Sequence, residues 1–248
     1  MDNDWISNSY LPFLLALNAD WNLLGLTSCT ANTWALQGSL HALALLEIGN
    51  LSDCIPVYKG ADYPLLNTPE TFQLWEDLHG VLPFQGVFAV ENATAEAAGA
   101  DPTSGDPNRI VKEAFTEGYP NVTVAGNNSA AWMVEQVRKY PGEVTVYAAG
   151  ALTNIALAVR MDDQFARLAK QLVVMGGYVD DNLFKVTGSL YQAAINSDVS
   201  IAFPDKVVTV MGEGSLTRLQ LNLITDPEAS KIVLTAPWPK ISKVSQFE

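Results

Sequence analysis

Basic side chains are scarce in this sequence: 14 Lys and Arg stand against 27 Asp and Glu, a formal net charge of −13 at pH 7. A surface of that sign repels phosphate backbones and anionic headgroups, so neither nucleic acid nor a membrane surface is an expected partner. Cysteine is equally sparse. Cys29 and Cys54 cannot build a disulfide framework, and no C-x-x-C spacing points to zinc, which leaves the redox compartment open. No apolar run approaches the ~18 residues that a membrane helix needs. The opening Met-Asp-Asn-Asp-Trp has neither the basic nor the apolar stretch of a secretory signal, yet sequons at Asn50, Asn92, Asn121 and Asn127 hint at secreted relatives, so localisation stays open. What is plentiful is apolar. Hydrophobic residues at 48% against 17% charged ones support a large core and exclude global disorder, and 248 residues fit one α/β domain.

Short β-like runs alternate with helical stretches. Residues 8–18 read as a helix, 21–27 as a buried strand, 34–48 as a helix ended by Gly49-Asn50, 55–58 as a short strand and 69–78 as a helix entered through Thr68. Residues 143–148 and 171–175 are further strands, with a helix at 152–160 between them. Strands separated by helices predict βαβ units, hence an α/β fold of Rossmann-like kind with a mostly parallel sheet and helices on both faces. Residues 80–126 differ, being rich in Gly, Pro, Asn and Asp with one clear helix at 109–118. That stretch reads either as a surface insertion or as a lid over a site at the carboxyl ends of the strands, where open α/β sheets bind ligands.

Three places are candidates for chemistry. Asp2 and Asp4 flank Asn3 where a strand would end before a helix. Two carboxylates so spaced can face one metal ion or activate one water, and the same pattern also caps helices. Gly150-Ala151-Leu152-Thr153-Asn154 joins a strand to a helix, so that backbone groups can approach a ligand, with Thr153 or Asn154 able to cap the helix. Met175-Gly176-Gly177 ends the next strand with paired glycines, where side chains would obstruct something. His41, on an apolar-patterned helix, reads as a packed residue, and His79 as a helix-end residue before the long 80–126 stretch.

Taken together and in order, these motifs resemble the inosine–uridine-preferring nucleoside hydrolase family, most of all its fungal-type branch. The resemblance rests on Asp2-Asn3-Asp4, Thr30-Ala31-Asn32, IPVYKGADYPL from Ile55 to Leu65, GALTNIALAVR from Gly150 to Arg160, VVMGGY from Val173 to Tyr178 and DPEAS from Asp226 to Ser230. It covers nearly the whole chain, read as a single domain, 1–248. It implies hydrolysis of the N-glycosidic bond of a ribonucleoside through a transition state of oxocarbenium character, with a calcium ion holding the ribose diol and the attacking water. By position it implies Asp2, Asp4 and the Ala149 carbonyl as metal ligands, Asp4 as the base, and Asn32, Asn182, Asp198 and Asn222 as substrate contacts. A small-molecule nucleoside is then the partner, and such proteins are often homo-oligomers. A rival from another class is a non-catalytic protein that binds a nucleoside or sugar in part of the same pocket.

The chain also departs from the family's pattern. Where relatives continue to a paired Asp-Asp whose second member binds the metal, Asn8 and Ser9 stand here, and a neutral serine predicts weaker calcium binding. Residues 199–220, between Asp198 and Asn222, form an insertion into the pattern. It opens with Val-Ser and closes with Gln, which the donor and acceptor sites of an intron can encode, and Val-Ser recurs at 244–245, so both 199–220 and 244–248 are read as intron-derived, with a natural loop of 22 residues as the alternative for the first. The sequence stops before the family's later metal-binding Asp and its neighbouring His, and nothing before Asp2 would form a first strand. These losses predict an incomplete architecture with an unpaired position near the centre of the sheet, and little or no activity.

Overall fold

In the computed structural model, which describes residues 1–6, 10–79, 86–176 and 221–244, six parallel strands form one sheet in the order β3-β2-β1-β4-β5-β6. They are β1 (Asp2–Asn3), β2 (Leu26–Ser28), β3 (Val57–Lys59), β4 (Thr145–Ala148), β5 (Gln171–Met175) and β6 (Ile241–Val244). Helices α1 (Leu11–Asn18) and α2 (Ala35–Ile48) follow β1 and β2, while α3 (Pro69–His79), α4 (Ala93–Ala97) and α5 (Ser129–Lys139) lie between β3 and β4. Helices α6 (Thr153–Met161) and α7 (Phe165–Leu168) link β4 to β5, and α8 (Leu221–Thr225) and α9 (Pro227–Leu234) precede β6. The α/β fold is the expected one. Right-handed crossovers running outward in both directions from the centre put α2 and α6 on opposite faces.

Period-two burial builds the core. In β5, Leu172 and Val174 turn into a cluster with Ile155 and Ala158 of α6, Val137 of α5 and Val233 of α9. Leu26 of β2 and Val57 of β3 pack instead against Ala42, Leu43 and Leu46 of α2. Helix α5 begins at Asn128, whose side chain accepts from the Ala131 N–H at 3.0 Å, a capping signal that the sequence carries in plain sight.

The centre of the sheet overturns the expectation of a lost first strand. Asp2 and Asn3 pair in parallel with Thr27 and Ser28 of β2, and Asp2 also pairs with Ala148 of β4. Met1 extends the contact: its ammonium donates to the Gly25 carbonyl at 2.9 Å, and its carbonyl accepts from the Thr27 N–H at 2.8 Å. Two residues suffice because the strands on either side both offer backbone partners. Toward the amino ends of the strands, where β4 extends past the reach of β1, lies a cavity of about 570 Å³, lined by Met1, Leu23, Trp132, Val137, Thr145 and Tyr147 among others.

The helix expected at 109–118 is also corrected, for only Lys112–Ala114 forms a single 3-10 turn. Gln37, buried in α2, holds Val111 extended by accepting from its N–H at 3.2 Å and donating to its carbonyl at 3.1 Å, as a neighbouring strand would. Gln37 Nε2 also donates to Asp101 Oδ1 at 2.8 Å, and His41 Nε2 lies 2.8 Å from the same oxygen. The other ring nitrogen of His41 meets Glu117, and its ring stacks on Phe115 at 4.2 Å. His41 is therefore more than packing: it pins the chain from Asp101 to Glu117 onto α2. The His79 side chain, residues 177–220 and residues 245–248 lie outside the described residues, and with them Asn182, Asp198, the 199–220 insertion and most of the 244–248 tail. Val244 pairs with Met175.

Burial works against charge on His41, but the hydrogen bonds and charges of Asp101 and then Glu117 outweigh it and raise its pKa above the ordinary 6.5. A raised folded-state pKa gives stabilisation that is complete below pH 6.5 and is lost as pH rises through the folded value. The melting-temperature gap between wild type and His41→Asn should therefore be wider at pH 6 than at pH 9. A gap that stays constant across parallel buffers would remove the charge from this contact.

Candidate functional site

Open parallel sheets bind ligands where the strand order reverses, because the crossovers there diverge to opposite faces and leave a crevice. That point lies between β1 and β4. Asp4, one residue beyond β1, and Ala149, one beyond β4, therefore stand beside it, with the Ala149 N–H donating to the Asp2 carbonyl at 2.9 Å.

Asp2, Asn3 and Asp4 are all buried. Asp2 Oδ1 accepts from Thr27 Oγ1 at 2.6 Å and from Asn154 Nδ2 at 2.9 Å, whereas its Oδ2, equally buried, has no hydrogen-bond partner. Asp4 Oδ2 accepts from Asn32 twice, from the side-chain Nδ2 at 2.5 Å and from the backbone N–H at 3.3 Å. Asn32 Oδ1 is a second buried oxygen with no hydrogen-bond partner. Asn222 donates to the Ala149 carbonyl at 2.8 Å and to the Met175 carbonyl at 3.2 Å. The fold thus gathers Asp2, Asp4, Asn32, Ala149 and Asn222 at the carboxyl ends of the central strands.

The capping alternatives are not realised. Helix α1 has Tyr10 at its N-cap and α6 has Leu152, neither with a side-chain cap. Thr153 instead donates to Asp226 Oδ2 at 2.6 Å, an oxygen that also accepts from the Leu65 N–H at 2.8 Å, while Asp226 Oδ1 caps α9 through Ala229 at 3.0 Å. One carboxylate therefore ties together the motifs around Leu65, Thr153 and Asp226.

Three features escaped the sequence reading. Thr27 carries no periodic signal for its role as a donor to Asp2. Gly38 sits inside α2, where glycine costs ~1 kcal/mol relative to alanine and so asks for a packing reason. The reason is Asp4: a Cβ at position 38 would lie 2.4 Å from the Asp4 carbonyl oxygen. Trp5 turns the chain out of the strand in the left-handed region, at φ 52°, held by its Nε1 donating to the Thr27 carbonyl at 2.7 Å.

Among the described residues no three His, Cys, Asp or Glu side chains gather where they could hold a metal ion. The donors at the site are oxygens, with Asp2 Oδ2 and Asn32 Oδ1 buried and unpartnered beside the Asp4 carboxylate. In kind they suit a hard cation such as calcium, while supplying fewer than its usual ~6–8 ligands.

Burial drives the Asp2 carboxyl up from 3.8 to about 6, against the hydrogen bonds of Thr27 and Asn154 and the Met1 ammonium, with the charge of Asp4 adding to the rise. The neutral acid therefore favours the fold below pH 3.8, an advantage lost as pH rises through about 6 and worth on the order of 3 kcal/mol in all. In metal-free buffer the melting temperature of Asp2→Asn relative to wild type should climb between pH 4 and pH 7; a flat difference would show that Asp2 ionises without cost. Gly38→Ala should cost the ~1–3 kcal/mol of an overpacked core, seen as a lower urea midpoint.

A model described as inosine-uridine preferring nucleoside hydrolase matches residues 1–245. An uncharacterised protein of Schizosaccharomyces pombe is 32% identical over 242 residues, which are 97% of this chain and 51% of that protein. A probable uridine nucleosidase of Oryza sativa subsp. japonica is 32% identical over 237 residues, 95% of this chain and 54% of its own length. A solved plant nucleoside hydrolase aligns with a TM-score of 0.63 at 22% identity, over 99% of this chain and 58% of that one, a likeness of fold. The chain spans about half the length of the curated relatives it matches. With the family's pattern running through residues 1–245, this chain belongs to the inosine–uridine preferring nucleoside hydrolase family.

Proposed function

We propose that this site hydrolyses the N-glycosidic bond of ribonucleosides, releasing ribose and the free base, within a single domain of residues 1–248. The observation that supports the reading most is the placement of two buried carboxylates and Asn32 at the point where the strand order reverses. Asp4, held by Asn32, takes the proton of the attacking water. Oxygen adds to C1′, the C1′–N bond breaks, its electron pair leaves with the base, and the departing base takes a proton from solvent. A buried pair of carboxylates favours the positive charge that develops on the sugar. Asn32, Asn222, Asn182 and Asp198 are the proposed contacts to the substrate. Asp2, Asp4 and the Ala149 carbonyl are the residues that would hold calcium, which when bound lowers the pKa of water and orients the ribose diol.

The family's description and a relative named as a probable uridine nucleosidase make uridine and inosine the substrates to test. In calcium-containing buffer the chain should release ribose from one of them in a reducing-sugar assay, at the reduced rate expected with Ser9 in place of a metal-binding Asp. Asp4→Asn should then lower the rate by roughly 10²–10⁴-fold, the usual contribution of a positioned base. Calorimetric binding of a nucleoside with no ribose released would leave a non-catalytic nucleoside- or sugar-binding protein and overturn the hydrolytic reading.

A further inference from the structure

We infer that Asn154 is a positioning residue of this site, its side-chain amide fixing Asp2 so that one carboxylate oxygen is held ready for a cation. The inference rests on the reading of the site as one that binds calcium through Asp2.

Asn154 stands in the first turn of α6, completely buried, and both polar atoms of its amide are engaged. Nδ2 donates to Asp2 Oδ1 at 2.9 Å and to the Ser28 carbonyl at 3.0 Å, while Oδ1 accepts from the Ala61 N–H at 2.9 Å. Two acceptors and one donor around it admit a single orientation of an amide. They do not admit a carboxylate, which would lose both donations and set a further negative charge against Asp2. The neighbouring chain is shaped to this side chain: a Cβ on Gly60 would fall 2.2 Å from Asn154 Oδ1 and 2.3 Å from its Nδ2. One amide therefore joins the ends of β1 and β2 and the turn after β3 to the helix after β4, across the point where the strand order reverses.

The consequence falls on Asp2. Thr27 and Asn154 both donate to Oδ1, leaving Oδ2 buried with no hydrogen-bond partner. A carboxylate held in this way is oriented before any cation arrives, and outer partners of this kind are typically worth 10–100-fold in metal affinity.

The test is calcium affinity, read by terbium luminescence with calcium displacement, together with melting temperature with and without calcium. Asn154→Ala should weaken calcium binding by about 10–100-fold and shrink the calcium-induced rise in melting temperature. Thr27→Val, which removes the other donor to Oδ1, should move affinity in the same direction. A lower melting temperature with unchanged calcium affinity would reduce Asn154 to a structural role and overturn the inference alone. A wild-type chain that binds no calcium would overturn the reading of the site, and this inference with it. Should the alanine variant not fold, Asn154→Ser carries the same comparison, and wild-type affinity in it counts against the inference.

Discussion

Two carboxylates buried side by side at the centre of a parallel sheet are the constraint around which this molecule is arranged. Withdrawing a carboxylate from water is costly unless hydrogen bonds or opposite charge compensate, and the negative charge of each raises the cost for the other. Compensation reaches Asp2 from Thr27 in β2 and Asn154 in α6, and Asp4 from Asn32 in the loop after β2. These donors come from separate elements, so the site exists only where β1, β2 and the helix after β4 are assembled together. The same crowding explains why positions 38, 60 and 150 are glycine. A Cβ at any of them would fall within 2.4 Å of a backbone or side-chain atom at the site.

Away from the carboxylates, the long segment between α3 and α5 is anchored on the loop that carries Asn32. Val87 N–H donates to the Ala31 carbonyl at 2.7 Å, Thr33 Oγ1 to the Pro102 carbonyl at 2.8 Å, and Trp34 Nε1 to the Ser104 carbonyl at 3.2 Å. With Gln37 and His41 gripping the same segment from α2, the described part of this stretch is neither a loose surface insertion nor a detached cover. It buttresses the loop on either side of Asn32.

Much of the site was legible in the order of residues. Asp2 and Asp4 stand out as two carboxylates flanking Asn3 where a strand would end, Asn32 only through the resemblance of Thr30-Ala31-Asn32 to the family's pattern, and the glycine-rich turn at Gly150 signals a close approach. Thr27 and Gln37 were not legible, since a polar residue inside a strand or helix looks the same whether it faces water or a buried partner. The first strand was misread for a related reason. Two residues are too few to show a period, and they form a strand only because β2 and β4 supply backbone partners on both sides.

Residue order by itself determined the α/β class and the positions of β2 to β5 and of α1, α2, α3 and α6, because period-two and helical apolar patterns are local and survive without knowledge of the fold, while the family was carried by its motifs. It determined as well that acidic and amide residues accumulate at the carboxyl ends of strands. Only the tertiary structure decided which of them meet: that Asn154 turns to Asp2 instead of capping its own helix, that Thr153 turns to Asp226, and that His41 closes between two carboxylates from a distant segment. The physical reason is that a buried polar side chain takes the partners that full assembly brings within about 3 Å, and those partners lie from 60 to 152 residues away in the chain.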